Sequence, residues 1–146
     1  MREEIRFRQQ ILTWDFMKEM FDKKTLFGVN LSLMITKPEI TYSKIIESII
    51  LRVPQKNLYA IQNNEGVTTV ITEVVIIFAI YKFMNNKLKL QGLEILPELN
   101  GENYKSFSDT KANLLRRITD CRLNMFVVYE SIKDENHQIV KYLQSL

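Results

Sequence analysis

The sequence predicts an all-α fold: one compact domain, residues 1–146, of five to seven helices bundled around a buried central helix, with a long C-terminal helix. Three observations predict it. The longest apolar run, residues 67–84 (VTTVITEVVIIFAIYKFM), lies near the middle of the chain and carries only Glu73 and Lys82 as formal charges. From residue 106 onward, apolar residues recur at spacings near three and four, the repeat of one helix face. Four glycines and three prolines in 146 residues leave little turn material for a many-stranded sandwich or barrel.

The central run is read as a helix because strands usually extend for about 5–6 residues, although Val, Ile, Thr and Phe favour strands. The alternative is an α+β fold in which the run divides into strands, with residues 57–62 as a hairpin partner across Asn63-Asn64-Glu65-Gly66. A spanning helix needs roughly 20 apolar residues. A central carboxylate costs about 3 kcal/mol on insertion scales, so Glu73 favours a buried core element and no transmembrane segment is expected.

In chain order, residues 3–24 read as the first helix. Ile5, Leu12, Phe16 and Met20 share a face, and Trp14 is either a core anchor or a partner contact. Residues 25–35 show both strand alternation and a possible helical face, and are assigned to helix. Thr36-Lys37-Pro38-Glu39 carries a helix-start pattern. The helix that follows has Ile45, Ile46, Ile49, Ile50 and Val53 as its stripe and ends before Pro54. Residues 85–101 form a short helix or an extended strap, and residues 97–104 are the candidate mobile segment. Ser106-Phe107-Ser108-Asp109 starts the C-terminal helix. That helix is either continuous or broken at residues 133–136, and its spacing also permits a dimeric seam.

Composition bounds the function. The net charge of +3 gives no strong nucleic-acid signal. Cys121 is the only cysteine, so an intrachain disulfide is impossible, which fits a reducing compartment. The N-terminal MREEIRFRQQ lacks the apolar core of a signal peptide; a cytoplasmic location is expected. His137 is the only histidine. With one cysteine and one histidine, the usual zinc ligand sets cannot form within one chain. There is no GxGxxG and no P-loop. The reading is therefore not an enzyme, with no metal and no cofactor.

Two features carry the functional expectations. Basic residues gather at Arg2, Arg6 and Arg8 and again at Lys111, Arg116, Arg117 and Arg122. They read as solvated helix surface, or as contacts to phosphates or an acidic partner. Arg52 and Glu73 interrupt apolar segments, and a buried charge is costly unless paired. They lie on exposed helix edges, pair with each other inside, or Arg52 receives the carboxylate of a ligand through its planar fork.

In architecture alone, the central apolar run with amphipathic helices around it resembles small viral Bcl-2-like proteins, although the Gly-Arg pair of the cellular family's central helix is missing. The long last helix resembles that of globin-like sensor domains. Haem does not fit a chain whose single histidine is close to its C-terminus; a non-haem version would hold an apolar ligand.

Two functions follow as expectations. The first is a non-enzymatic regulatory protein that binds a protein partner through an apolar groove or helix face formed by Trp14, Phe16, Met20, Met125 and Tyr129. With it goes a homodimer with Met125, Val128, Ile132 and Ile139 at the seam. The second is a sensor that holds an apolar small molecule such as a fatty acid among Ile46, Ile50, Val74 and Phe78, with Arg52 and Glu73 as its polar groups.

Overall fold

The computed structural model describes residues 7–23, 25–26, 29–30, 37–129, 141–142 and 145. The fold is mixed α/β, which corrects the expectation of an all-α helical bundle. The described elements are β1 (Phe7–Leu12), α1 (Trp14–Asp22), β2 (Thr25–Leu26), β3 (Val29–Asn30), α2 (Glu39–Ile50), β4 (Leu58–Gln62), β5 (Thr68–Val70), α3 (Val74–Met84), α4 (Tyr104–Thr110), α5 (Ala112–Thr119) and β6 (Leu123–Tyr129).

Four strands form one sheet in the order β1-β6-β4-β5. β6 runs antiparallel to β1 and parallel to β4, and β4 runs antiparallel to β5. β2 and β3 form a separate two-stranded pair where a helix over residues 25–35 was expected. Because side chains alternate across a sheet, the strands sort into two faces. Leu12, Leu58, Ala60, Val70, Leu123, Met125 and Val127 point inward and are buried in one core with side chains from all five described helices. Ile61 and Val128 belong to the opposite face, with Tyr59 and Ile71 packed against them.

The corrections have local causes. The first helix begins at Trp14, not residue 3, because Thr13 adopts an extended conformation and its side chain accepts a hydrogen bond from the Phe16 N–H at 3.2 Å. That is an N-cap, and it separates α1 from what precedes it. Residues 7–12 are a strand because they pair along their whole length with β6, more than a hundred positions away, which no local pattern reveals. The central run is part strand and part helix. The 58–62/68–70 hairpin forms across Asn63–Gly66, as in the alternative reading, with the Asn63 carboxamide accepting from the Glu65 and Val67 N–H groups. Glu73 then takes a left-handed conformation (φ 56°) as the N-cap of α3.

The long C-terminal helix is also overturned. Asn103 and Ser106 form the capping box that starts α4, three residues before the expected Ser106 start. α5 ends at Thr119, and the apolar residues from Leu123 onward are β6. Ile132 and Ile139 lie outside the described residues.

α2 carries the core stripe Tyr42, Ile46, Ile49 and Ile50 and ends at Ile50; Val53, expected in the stripe, lies beyond the helix and is exposed. Pro38 occupies its N-cap position with no side-chain cap. The apolar segment between α3 and α4 is an extended strap with a short 3₁₀ turn at Pro97–Leu99. Its Leu88, Leu90, Leu93 and Leu99 are buried. The expected mobile stretch 97–104 is tied down: Gly101 N–H donates to Leu90 O at 2.7 Å, Leu90 N–H to Glu102 O at 2.8 Å, and Leu93 N–H to the Asn100 side chain at 2.9 Å.

Candidate binding surfaces

The described helices all contribute to the core on one side of the sheet; on the other side Ile61 and Val128 form a second, small buried cluster with more exposed positions around it. The positions on that other side follow from the register. Phe7, Gln9 and Ile11 on β1 stand beside Val128, Phe126 and Asn124 on β6. Phe126 and Val128 stand beside Tyr59 and Ile61 on β4, and Ile61 stands beside Thr69 on β5. Ile71 continues the same face. None of these ten positions carries a formal charge. The Tyr59 and Phe126 rings stack with centroids 5.8 Å apart and are half-buried. Phe7 and Ile11 are each 49% exposed. A sheet side facing only water normally shows polar and charged residues, so this composition marks a contact surface.

The sequence did not place a partner surface here. Of the residues expected to form one, Trp14 is buried and stacks on Tyr104 at 6.4 Å. Phe16 and Met20 are half-buried against the same core. Met125 is fully buried on the inner face of β6, and Tyr129 is exposed at the strand's end. These five do not share a surface. Met125 and Val128 lie on opposite faces of β6, so one seam cannot use both.

Comparison with known proteins gives no match, whether to a family model, a curated protein or a solved structure.

The expected ligand chamber is distributed differently. Ile46 and Ile50 are fully buried in the core, and Val74 and Phe78 are half-buried against it. Glu73 is half-buried at the start of α3, and Arg52 is exposed one residue beyond the C-cap of α2. Neither is in an ion pair among the described residues.

Arg52 nevertheless enters a site. Its companions come from the second basic cluster, Arg117 on α5 and Arg122 just before β6. Together with Ile49, Val53, Pro54, Gln55, Asp120 and Cys121 they line a cleft of about 300 Å³. Arg117 Nη1 donates to the Ile50 carbonyl at 3.4 Å, over the C-terminal end of α2. A second cleft of about 240 Å³, between Thr13–Asp15 and Thr119–Arg122, shares Asp120, Cys121 and Arg122 as a wall. Burial pushes the Cys121 thiol up to about 11. It is therefore protonated at neutral pH, when only the thiolate is nucleophilic.

Sequence reasoning missed Glu47. Its carboxylate is buried and accepts the Ile95 N–H at 3.1 Å and the Leu96 N–H at 2.9 Å, fastening the strap to α2. One turn earlier the buried Ser43 hydroxyl accepts the Gln91 N–H at 3.1 Å. A Ser and a Glu four apart on an apolar helix face were the available signal. Among the described residues no group of His, Cys, Asp and Glu could hold a metal, and no helix is long and apolar enough to cross a membrane.

Proposed function

We propose that this chain is a non-enzymatic regulatory protein that acts by binding another protein, and that it uses the uncharged outer face of the sheet to do so. The observation that carries the reading is nine adjoining positions on four strands, continued by Ile71, without a formal charge and with a stacked Tyr59–Phe126 pair in their midst. Interface cores are depleted of charge and enriched in aromatic residues. Burying Phe7 and Ile11 as well would add about 25 cal/mol for each Å² of apolar surface removed from water. The matching patch on a partner is apolar and uncharged. A second copy meets that requirement, since an uncharged face does not repel itself, and a two-fold axis would pair like with like.

The test introduces charge without removing packing. A photo-crosslinking side chain at Thr69, exposed on β5, is expected to give one discrete adduct in the native cell. Asn124→Lys, at another exposed position of the face, is expected to abolish it. The same crosslinker at Lys18, exposed on α1, should give none. An adduct of twice the chain's mass identifies a second copy. No adduct from Thr69, or one that survives Asn124→Lys in the folded protein, refutes the reading.

A further inference from the structure

A different observation, independent of the sheet face, concerns the arginine cleft. Arg52 is far in sequence from Arg117 and Arg122 but lines one cleft with them, and Asp120 is the only carboxylate there among the described residues. None of the three guanidinium groups is in an ion pair among the described residues. Three like charges around a small volume repel one another, and the repulsion is felt over the roughly 8–10 Å of physiological screening.

The end of α2 accounts for part of this charge. A helix C-terminus carries about half a unit of negative charge, and Arg117 donates to the Ile50 carbonyl there. One cation answers that need; three exceed it. Arg52 also holds its place in the left-handed region, with φ 60°, at a position after a helix where glycine is usual. The chain tolerates a strained arginine at the one point that brings a third guanidinium to the cleft.

We propose that this cleft is a binding site for a compact oxyanion ligand, a small phosphate monoester or dicarboxylate. The planar fork of arginine matches both groups and binds them bidentately. Ile49, Val53 and Pro54 supply an apolar wall for the ligand's body, and Asp120 can accept a hydrogen bond from a hydroxyl on it. The volume of about 300 Å³ is at the lower end for small-molecule sites, so it takes a compact molecule and not an acyl chain of membrane-lipid length.

The test is calorimetric titration of the full chain at fixed ionic strength with inorganic phosphate, glycerol phosphate and succinate as the probes. Saturable one-to-one binding is expected for at least one probe. Loss of one arginine removes a charged hydrogen bond, which weakens binding about tenfold or more; Arg52→Gly and Arg122→Gln should each show this, while Lys18→Gln should not. Tighter binding of the two phosphates assigns the site to phosphate esters, and tighter binding of succinate assigns it to carboxylates. Absence of saturation by all three probes at about 10 mM overturns the proposal. So does binding that both arginine variants leave unchanged, or binding that Lys18→Gln weakens equally. Because Arg52→Gly is expected to fold at least as stably as the parent chain, a loss of binding in that variant cannot be ascribed to unfolding.

Discussion

Replacing Arg52 by glycine should make the protein more stable. Arg52 follows α2 in a Schellman-type closure: its N–H donates to Ile49 O at 3.0 Å, and the next N–H, of Val53, donates back to Ser48 O at 2.9 Å. This geometry requires the left-handed conformation, and Arg52 has φ 60°. For a residue with a Cβ, that conformation costs roughly 1–2 kcal/mol. Glycine removes the cost but gives the unfolded chain more freedom, worth about 0.4–1 kcal/mol. Arg52 is exposed and makes no ion pair among the described residues, so little packing is lost. The net is a gain of about 0.5–1 kcal/mol. In urea, with a slope of about 2 kcal/mol/M, the midpoint should rise by roughly 0.3–0.5 M with the slope unchanged. Measurement at 0.5 M salt screens the relief of repulsion among the three arginines, so the gain that remains is conformational. Arg52→Ala, which keeps the Cβ, should show no such gain. If Arg52→Gly lowers the midpoint, or if Arg52→Ala raises it equally, the backbone argument is wrong.

Three further outcomes are expected. Glu47→Ala should destabilise the fold by about 2–4 kcal/mol, since it leaves the buried-strap N–H groups of Ile95 and Leu96 without their acceptor; thermal melting checks this, and a loss below 1 kcal/mol would show that water replaces the carboxylate. The Cys121 thiol should react with iodoacetamide slowly at pH 8 and accelerate only as the pH nears 11. Its raised folded value also means that its contribution to stability is intact below about pH 9, the unfolded value, and declines as the pH rises from there to about 11. Light scattering at high micromolar concentration should show a dimer that Asn124→Lys converts to a monomer; a monomeric parent chain would exclude self-association through the sheet face.

The sequence by itself determined the elements whose cause is local. The stripe Ile46, Ile49, Ile50 sets α2, because a 3.6-residue repeat acts within a few turns; its end at Ile50, ahead of the expected boundary at Pro54, comes from the left-handed closure at Arg52. The turn at Asn63–Gly66 was legible because its cause is local too. That the chain holds one cysteine and one histidine was also plain, since composition needs no coordinates. What the tertiary structure alone decided is pairing. Leu123–Tyr129 has apolar residues at spacings that suit a helix. It is a strand because β1 and β4 flank it and supply its ladder, and a strand's hydrogen-bond partners lie elsewhere in the chain, whereas a helix carries its own. The same pairing buries Met125 on one face and turns Phe126 to the other. Arg52 was recognisable as an unusual charge, but its convergence with Arg117 and Arg122 was not. Convergence depends on where α5 ends relative to α2, and the packing of the core, not local propensity, determines that distance.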